Sequence, residues 1–335
     1  MLFQPAIIAL LMAAGVAVLM LTAAAPFAVQ VILRWDIRSG SEQQLALERR
    51  TYLFSTLLSF VFVIQLAALL LFVFNADRLS GMFVGAMCAV GTLNVNDYGF
   101  PSLISQMGVF FLAAMWLAIN HVDTRAPDYP LVRIKYGLLL LLLPVLVLSF
   151  WLELQYFLGL KANVITSCCG SLFSGDAKTI AGEASGMEAQ PAIFLFYSGL
   201  TAAIGVALWH WRRGSRRSGY LLATTSAAGF VAAIIGVLSF ISLYIYEHPH
   251  HHCPFCILKP EYDYQGYWLY LPLFTATAAG LGAGALQPFA RVRSLAAVIP
   301  GISSRLAGIS ALGYSLFIAI ATYFVLASKL ILIEH

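Results

Sequence analysis

The sequence predicts an all-α polytopic membrane protein with about eight transmembrane helices, arranged as two parallel four-helix repeats. Of its 335 residues, 61% are apolar and only 10% are charged, whereas a soluble domain is roughly half apolar and a quarter charged. Eight apolar runs reach the length of about 20 residues that a bilayer requires. Short stretches of similar sequence also recur, in the same order, in the two halves of the chain.

Reading the chain in order gives eight predicted spans. The first run is too long for a signal-peptide core and lacks a basic n-region, so we expect it to stay in the protein. Segment 81–101 is apolar but short and contains several glycines, which predicts a re-entrant or surface-lying piece. The predicted spans are 5–32, 52–75, 102–121, 136–158, 191–211, 219–246, 267–288 and 306–332.

The basic residues predict the orientation of the chain. Most of the 19 Lys and Arg residues fall in one set of alternate loops, which the positive-inside rule makes cytoplasmic. Both termini then face outward, in what we expect to be a bacterial inner membrane. The net charge of +4 follows from these loops, so it does not indicate a nucleic-acid partner. The outward loops hold only Arg78, Lys161, Lys178, Lys259 and Lys329.

The same topology places every cysteine on the outer, periplasmic side, where disulfides persist. Cys88 lies in one outward loop, the adjacent pair Cys168 and Cys169 in another, and Cys253 and Cys256 in a third. Adjacent cysteines have Cα atoms about 3.8 Å apart, below the roughly 4.4 to 6.8 Å of most disulfides. We therefore expect Cys168 and Cys169 to seek other partners in the neighbouring outward loop, with the connectivity left open.

Segment 248–256 has the highest density of potential metal-binding and redox-active side chains in the chain, with four imidazoles and two thiols in nine positions. Both groups bind borderline-soft metals, and a Cys-x-x-Cys pair is also the smallest thiol/disulfide couple. One interpretation makes Cys253 and Cys256 a reactive couple with Cys168 and Cys169 as a relay. Another has copper, zinc or another thiophilic metal bound by His248, His250, His251, His252, Cys253 and Cys256. A static disulfide or a solvated polar loop is the plain alternative.

Three pairs of matched stretches suggest an internal duplication. They are 4–7 with 190–193, 49–56 with 216–224, and 88–93 with 253–258. Four spans is an even number, so the two halves would run parallel. Cys88 would then correspond to Cys253, with Asp97 and Asp263 as accessory residues downstream. The predicted organisation is a first repeat over 1–160, an outward loop over 161–190 and a second repeat over 191–335, with an outer site built from both repeats.

The Cys253-Pro254-Phe255-Cys256 element at the outer mouth of a helical bundle, with further cysteines in another outer loop, resembles the membrane thiol oxidoreductases of the vitamin K epoxide reductase and DsbB type. The resemblance implies a relay from a loop cysteine pair to the Cys-x-x-Cys couple, and a quinone as cofactor. This chain departs from that pattern, since it has eight predicted spans rather than four and its second pair is vicinal.

The leading functional prediction is an integral membrane protein whose outward thiols exchange electrons or disulfides with an exported thiol protein or a quinone. The first alternative is a membrane protein, or a subunit of a membrane transport complex, that binds or transports a thiophilic ion. The second is a non-catalytic subunit that is braced by disulfides and assembles with other membrane subunits. Few ionisable groups lie inside the predicted spans, and Glu153 and Lys329 are near the ends of theirs, which weighs against a proton-coupled transporter.

Overall fold

The structure is a computed structural model that describes residues 3–161, 166, 187 and 189–330. Over these residues it is helical, with no β-strand. The helices are α1 (Pro5–Arg34), α2 (Glu42–Leu79), α3 (Ala89–Leu93), α4 (Gly99–Asp123), α5 (Val132–Leu158), α6 (Ala189–Arg213), α7 (Arg216–Gly236), α8 (Ser242–Tyr246), α9 (Gln265–Ala285) and α10 (Ile299–Ala327).

Eight helical segments in the described part of the chain are long and apolar enough to cross a membrane, which confirms the predicted helical class and number. Helix α2 begins ten residues before the predicted span 52–75, and α10 begins seven residues before 306. The difference arises because an apolar run measures the hydrocarbon core, whereas a helix continues through polar residues of good helix propensity. Segment 81–101 contains only short helical pieces before α4, as expected of a stretch that does not span.

The chain divides into two compact units. Unit 1 comprises Met1–Asn75, Asn96–Leu160 and Ala285–Ile302, and unit 2 comprises Ala76–Val95, Lys161–Gly284 and Ser303–His335. Each unit thus takes one short segment from the opposite half of the sequence. The predicted boundaries at 160 and 191, and the duplication itself, stay predictions.

Unit 1 packs α1, α2, α4 and α5 around aromatic contacts such as Phe62 against Trp116, with ring centroids 4.9 Å apart. A buried ion pair lies in this unit. The Nζ of Lys135 lies 2.8 Å from Oδ2 of Asp123, and both side chains are almost fully buried. The predicted span 136–158 leaves Lys135 just outside the helix, but it lies in the first turn of α5, and its burial is possible because Asp123 neutralises its charge.

Unit 2 packs α6, α7, α9 and α10 around a second apolar core. The helix that starts as α7 passes through a π-helical turn, Val237–Ile241, before it ends as α8. Such turns leave backbone carbonyls outside the regular i→i+4 pattern. Here the Leu238 carbonyl accepts a hydrogen bond from Nδ1 of His252 at 2.8 Å, which ties the histidine-rich loop to the helix that precedes it.

Candidate functional site

Three cysteine side chains converge inside unit 2. The Sγ atoms of Cys88, Cys253 and Cys256 all lie within 4.8 Å of one another, and those of Cys88 and Cys253 are 3.5 Å apart. The three residues are 0%, 0% and 5% exposed. None of the three forms a disulfide with another. We refer to these three residues as the cysteine site.

Cys88 is positioned by the short helix α3. It precedes the first residue of that helix with an extended backbone, and its carbonyl accepts hydrogen bonds from the N–H groups of Gly91 and Thr92. Just upstream, the Met87 carbonyl accepts a hydrogen bond from Nζ of Lys259. Since Lys259 follows Cys256 by three residues, this contact joins the two segments that carry the cysteines.

Cys253 and Cys256 are positioned by a tightly held loop. Cys256 opens a 3₁₀ turn, Cys256–Leu258, whose side chains pack on the start of α9. A Cβ atom at Gly266 would lie 2.7 Å from Leu258 and 2.8 Å from Ile257. Glycine at this position therefore allows α9 to approach the turn closely, and the approach holds Cys256 in the interior.

Tyrosines bind the backbone of the same loop. The Tyr246 hydroxyl donates to the Cys253 carbonyl, and the Tyr270 hydroxyl donates to the Pro254 carbonyl at 2.7 Å. The ring of Tyr262 packs against that of Tyr246 with centroids 4.7 Å apart. Burial, together with the nearby Cys256 sulfur, raises the pKa of Tyr262, so its phenol stays neutral. The backbone of the loop is thus held by the hydroxyl groups of Tyr246 and Tyr270.

Asp77, which the sequence analysis did not single out, belongs to this neighbourhood. Its carboxyl accepts a hydrogen bond from the Ala89 N–H and interacts electrostatically with Cys88, Lys259 and Glu261. A sequence signal for it exists, since an ionisable residue at the end of a long apolar helix is a functional candidate. Its proximity to Cys88, however, depends on the turn over 80–88.

The predicted site residues fall into three groups: those in the cysteine site, those outside it, and Cys168 and Cys169, which the structure does not describe. The structure brings together Cys253 and Cys256, with Cys88 as a third member. The second group does not belong to the cysteine site. In the described residues the metal-compatible cluster contains no histidine and neither accessory aspartate. That group comprises the exposed His248, His250, Asp97 and Asp263 and the half-buried His251 and His252.

The histidines make contacts of their own. His252 is bonded to Leu238 and His251 stacks on Tyr246 with ring centroids 4.1 Å apart. These contacts fix the position of both imidazole rings within the loop. Metal binding by the histidines stays a prediction. Cys168 and Cys169 lie outside the described residues, and the predicted relay through them also stays a prediction.

Comparison of the chain with protein-family profiles, curated proteins and solved structures found no significant match. The site must therefore be interpreted from its chemistry. Three sulfurs bound to one ion through bonds of about 2.3 Å would lie about 3.8 to 4.0 Å apart in tetrahedral or trigonal geometry. A disulfide needs about 2.05 Å. The observed separations suit three thiolates on one ion, and they also leave two thiols close enough to be oxidised after a small movement.

Proposed function

We propose that this protein is an integral membrane protein that binds a soft, thiophilic metal ion through Cys88, Cys253 and Cys256. The observation that carries the proposal is the convergence of three buried sulfurs within 4.8 Å. Burial favours a bound ion over exchange with an exported protein, because thiol–disulfide exchange requires the partner's sulfur to reach the attacking thiol. The expected one-sided distribution of the cysteines supports an outward-facing site.

The donor set favours Cu(I) over zinc. Thiolates select Cu(I), zinc and iron–sulfur clusters, but structural zinc sites are almost always four-coordinate. The cluster found in the described residues offers three sulfurs and no fourth imidazole or carboxylate. Three-coordinate Cu(I) therefore fits the group as it stands. Its single positive charge leaves excess negative charge on the thiolates, and the nearby Lys259 ammonium offsets part of it.

The test is an anaerobic titration of the reduced, full-length protein with Cu(I) in the presence of a chromogenic Cu(I) chelator. We expect one ion per chain, with three sulfur neighbours at about 2.3 Å in X-ray absorption spectra. Cys88→Ser, Cys253→Ser and Cys256→Ser should each weaken binding at least 100-fold. The double variant Cys168→Ser/Cys169→Ser tests separately whether the vicinal pair, which lies outside the described residues, contributes to binding. Normal binding by any of the three single variants would contradict the assignment.

A second candidate is redox exchange, which the 3.5 Å approach of Cys88 and Cys253 favours. Forming a Cys88–Cys253 disulfide would release two electrons and two protons to an oxidant, either a disulfide of an exported protein or a quinone. Cys256 would then be the thiol that reopens the bond. Peptide mapping without reductant distinguishes the two functions, since a reversible Cys88–Cys253 disulfide in a protein that binds no Cu(I) would favour the redox function.

A further inference from the structure

Unit 1 contains a second set of buried polar groups, at the end of the helices where α2 and α5 finish and α4 begins. Each of these side chains is at most 9% exposed. Each has at least one polar atom without a hydrogen-bond partner in the described structure, including both amide atoms of Gln106 and one carboxyl oxygen of Glu153. We call this set the polar layer. Its members are Asn75 on α2, Ser102 and Gln106 on α4, and Glu153 and Tyr156 on α5.

Contacts between the helices place these side chains at one level of unit 1. Helices α4 and α5 are joined by a hydrogen bond from Ser105 to Ser149 at 3.1 Å and by one from Asn96 to the Tyr156 carbonyl at 3.0 Å. Helix α2 joins them through Phe72, whose ring centroid is 5.7 Å from that of Tyr156. With a rise of 1.5 Å per residue, the five members lie within roughly 15 Å along the helix axes.

Among the described residues, Glu153 forms no ion pair, and burial is the one influence that acts on its carboxyl. Helix α1 packs against α5 near Gly15 and Phe150, and its one charged residue, Arg34, is at the far end. The charged or titratable residues of α4 and of the start of α5 are also at the far end. On α2, two charged residues follow Asn75 within one helical turn and the other charged or titratable residues are at the far end. Two titratable residues come just before α4, and α5 itself adds a phenol beside the carboxyl. The groups concerned are His121, Asp123, Arg133, Lys135, Tyr136, Asp77, Arg78, Glu42, Glu48, Arg49, Arg50, Tyr52, Asp97, Tyr98 and Tyr156.

The chemistry of the polar layer matches water better than an anion or a metal ion. Amide N–H groups donate, the amide and carboxyl oxygens accept, and the two hydroxyls do both. In an apolar helical environment an unmade hydrogen bond costs several kcal/mol. Buried water commonly meets this need by making about three hydrogen bonds to such groups. A carboxyl in contact with buried water can pass its proton to that water.

We propose that the polar layer binds a cluster of water molecules and that Glu153 is a proton-exchange site within it. Protonated Glu153 transfers its proton to a cluster water, which leaves a carboxylate and a hydronium ion. The reverse transfer restores the acid. Gln106 and Asn75 donate hydrogen bonds that stabilise the water oxygens and the carboxylate. This site lies in unit 1 and does not depend on the proposed function of the cysteines.

Infrared spectroscopy of the full-length protein, recorded in H₂O and D₂O over a pH series, tests the proposal. We expect a carboxylic acid C=O band that shifts in D₂O within minutes, disappears as the pH rises and is absent from Glu153→Gln. Glu261→Gln, which removes an exposed carboxyl, is the matched control and should retain the band. Gln106→Leu keeps the carboxyl but removes another polar member of the proposed water site, so the band should change frequency; this variant serves if Glu153→Gln does not fold.

Two results would overturn the proposal. A Glu153 band that does not shift in D₂O would show a dry carboxyl with no exchange. The lack of any band from Glu153 at all pH values would show a carboxylate that never takes up a proton.

Discussion

The cysteine site of unit 2 and the polar layer of unit 1 both bury reactive groups, but they differ in how the surrounding hydrogen bonds are made. Around the cysteines, Tyr246, Tyr270 and Lys259 each bind a backbone carbonyl. In the polar layer, amide, hydroxyl and carboxyl atoms have no partner in the described structure. Thiols behave as small apolar groups and are buried at little cost, whereas amides and carboxyls are not. The first site therefore suits the soft ion that we propose it binds, and the second suits the water cluster that we propose.

The largest expected effect is the pH dependence of Cu(I) binding at the cysteine site, for which the polar layer has no counterpart. Ordinary thiols are protonated at neutral pH and must lose their protons to bind a metal. Each released proton makes the apparent affinity rise up to about tenfold per pH unit, so we expect at least a 100-fold gain between pH 6 and pH 8. Competition titrations corrected for the chelator's own protonation measure it. A Cu(I) affinity that does not change with pH would contradict binding by thiols that must first lose their protons.

The next effect tests the close approach of α9 to the cysteine loop. Gly266→Ala places a methyl group 2.7 to 2.8 Å from Leu258 and Ile257. Overpacking of this kind costs about 1 to 3 kcal/mol, and we expect Cu(I) affinity to fall about 5- to 100-fold as Cys256 is displaced. Gly205→Ala is the control, because a Cβ atom there meets nothing within 4 Å. Equal affinities in the two variants would show that the approach does not position Cys256.

Replacing Glu153 tests the polar layer of unit 1. Glu153→Met exchanges a buried carboxyl, one oxygen of which has no protein hydrogen-bond partner in the described structure, for an apolar side chain of similar length, so we expect the free energy of unfolding to rise by about 1 to 2 kcal/mol. Denaturation in mixed detergent micelles provides the measurement. Glu42→Met, at the exposed start of α2, is the control and should change little. A loss of 3 kcal/mol or more in Glu153→Met would indicate a charged partner instead of bound water.

Smaller changes should follow from removing single hydroxyl groups around the cysteine site. Tyr246→Phe and Tyr270→Phe each delete one hydrogen bond to the loop backbone, which contributes about 0.5 to 1.5 kcal/mol. We expect each to weaken Cu(I) binding about 2- to 10-fold. Tyr264→Phe is the control because its side chain is exposed. If Tyr246→Phe and Tyr270→Phe both bind like the control, the hydroxyls are not part of the preorganisation.

The smallest effect is expected from the exposed histidines. His248→Ala and His250→Ala should change Cu(I) affinity less than twofold, because the converging ligands in the described residues are the three cysteines. The same titration measures both variants. A loss of bound ion from either would instead support the site of imidazoles and thiols that the spacing in 248–256 predicts.

Much of the fold could be predicted from local sequence. The eight predicted spans match in number the eight described helices that are long and apolar enough to cross a membrane, because the length and composition of an apolar run are local properties. Their ends were less accurate, since polar residues such as those at the start of α2 extend a helix beyond the hydrocarbon. Lys135 shows the same weakness, because only its contact with Asp123 explains its burial.

The candidate sites likewise include residues that could be predicted from local sequence and residues that could not. The Cys253–Cys256 spacing was visible in the sequence, and the matched stretches pointed to Cys88. Asp77 was not identified, although an ionisable residue at the end of a long apolar helix is a sequence signal. The polar layer was not identified, because its members come from different helices and no periodicity marks them.

The amino-acid sequence was sufficient to predict eight long apolar helices, compatible with a membrane protein, and a Cys-x-x-Cys loop, because hydrophobic length and short-range spacing are local properties. The tertiary structure was needed to bring Cys88 to 3.5 Å from Cys253 across 165 positions. It was also needed to show that the sulfur cluster of the described residues contains no histidine and that Glu153 forms no ion pair with any of those residues. These relations depend on which helix faces pack together, and packing is a property of the whole chain.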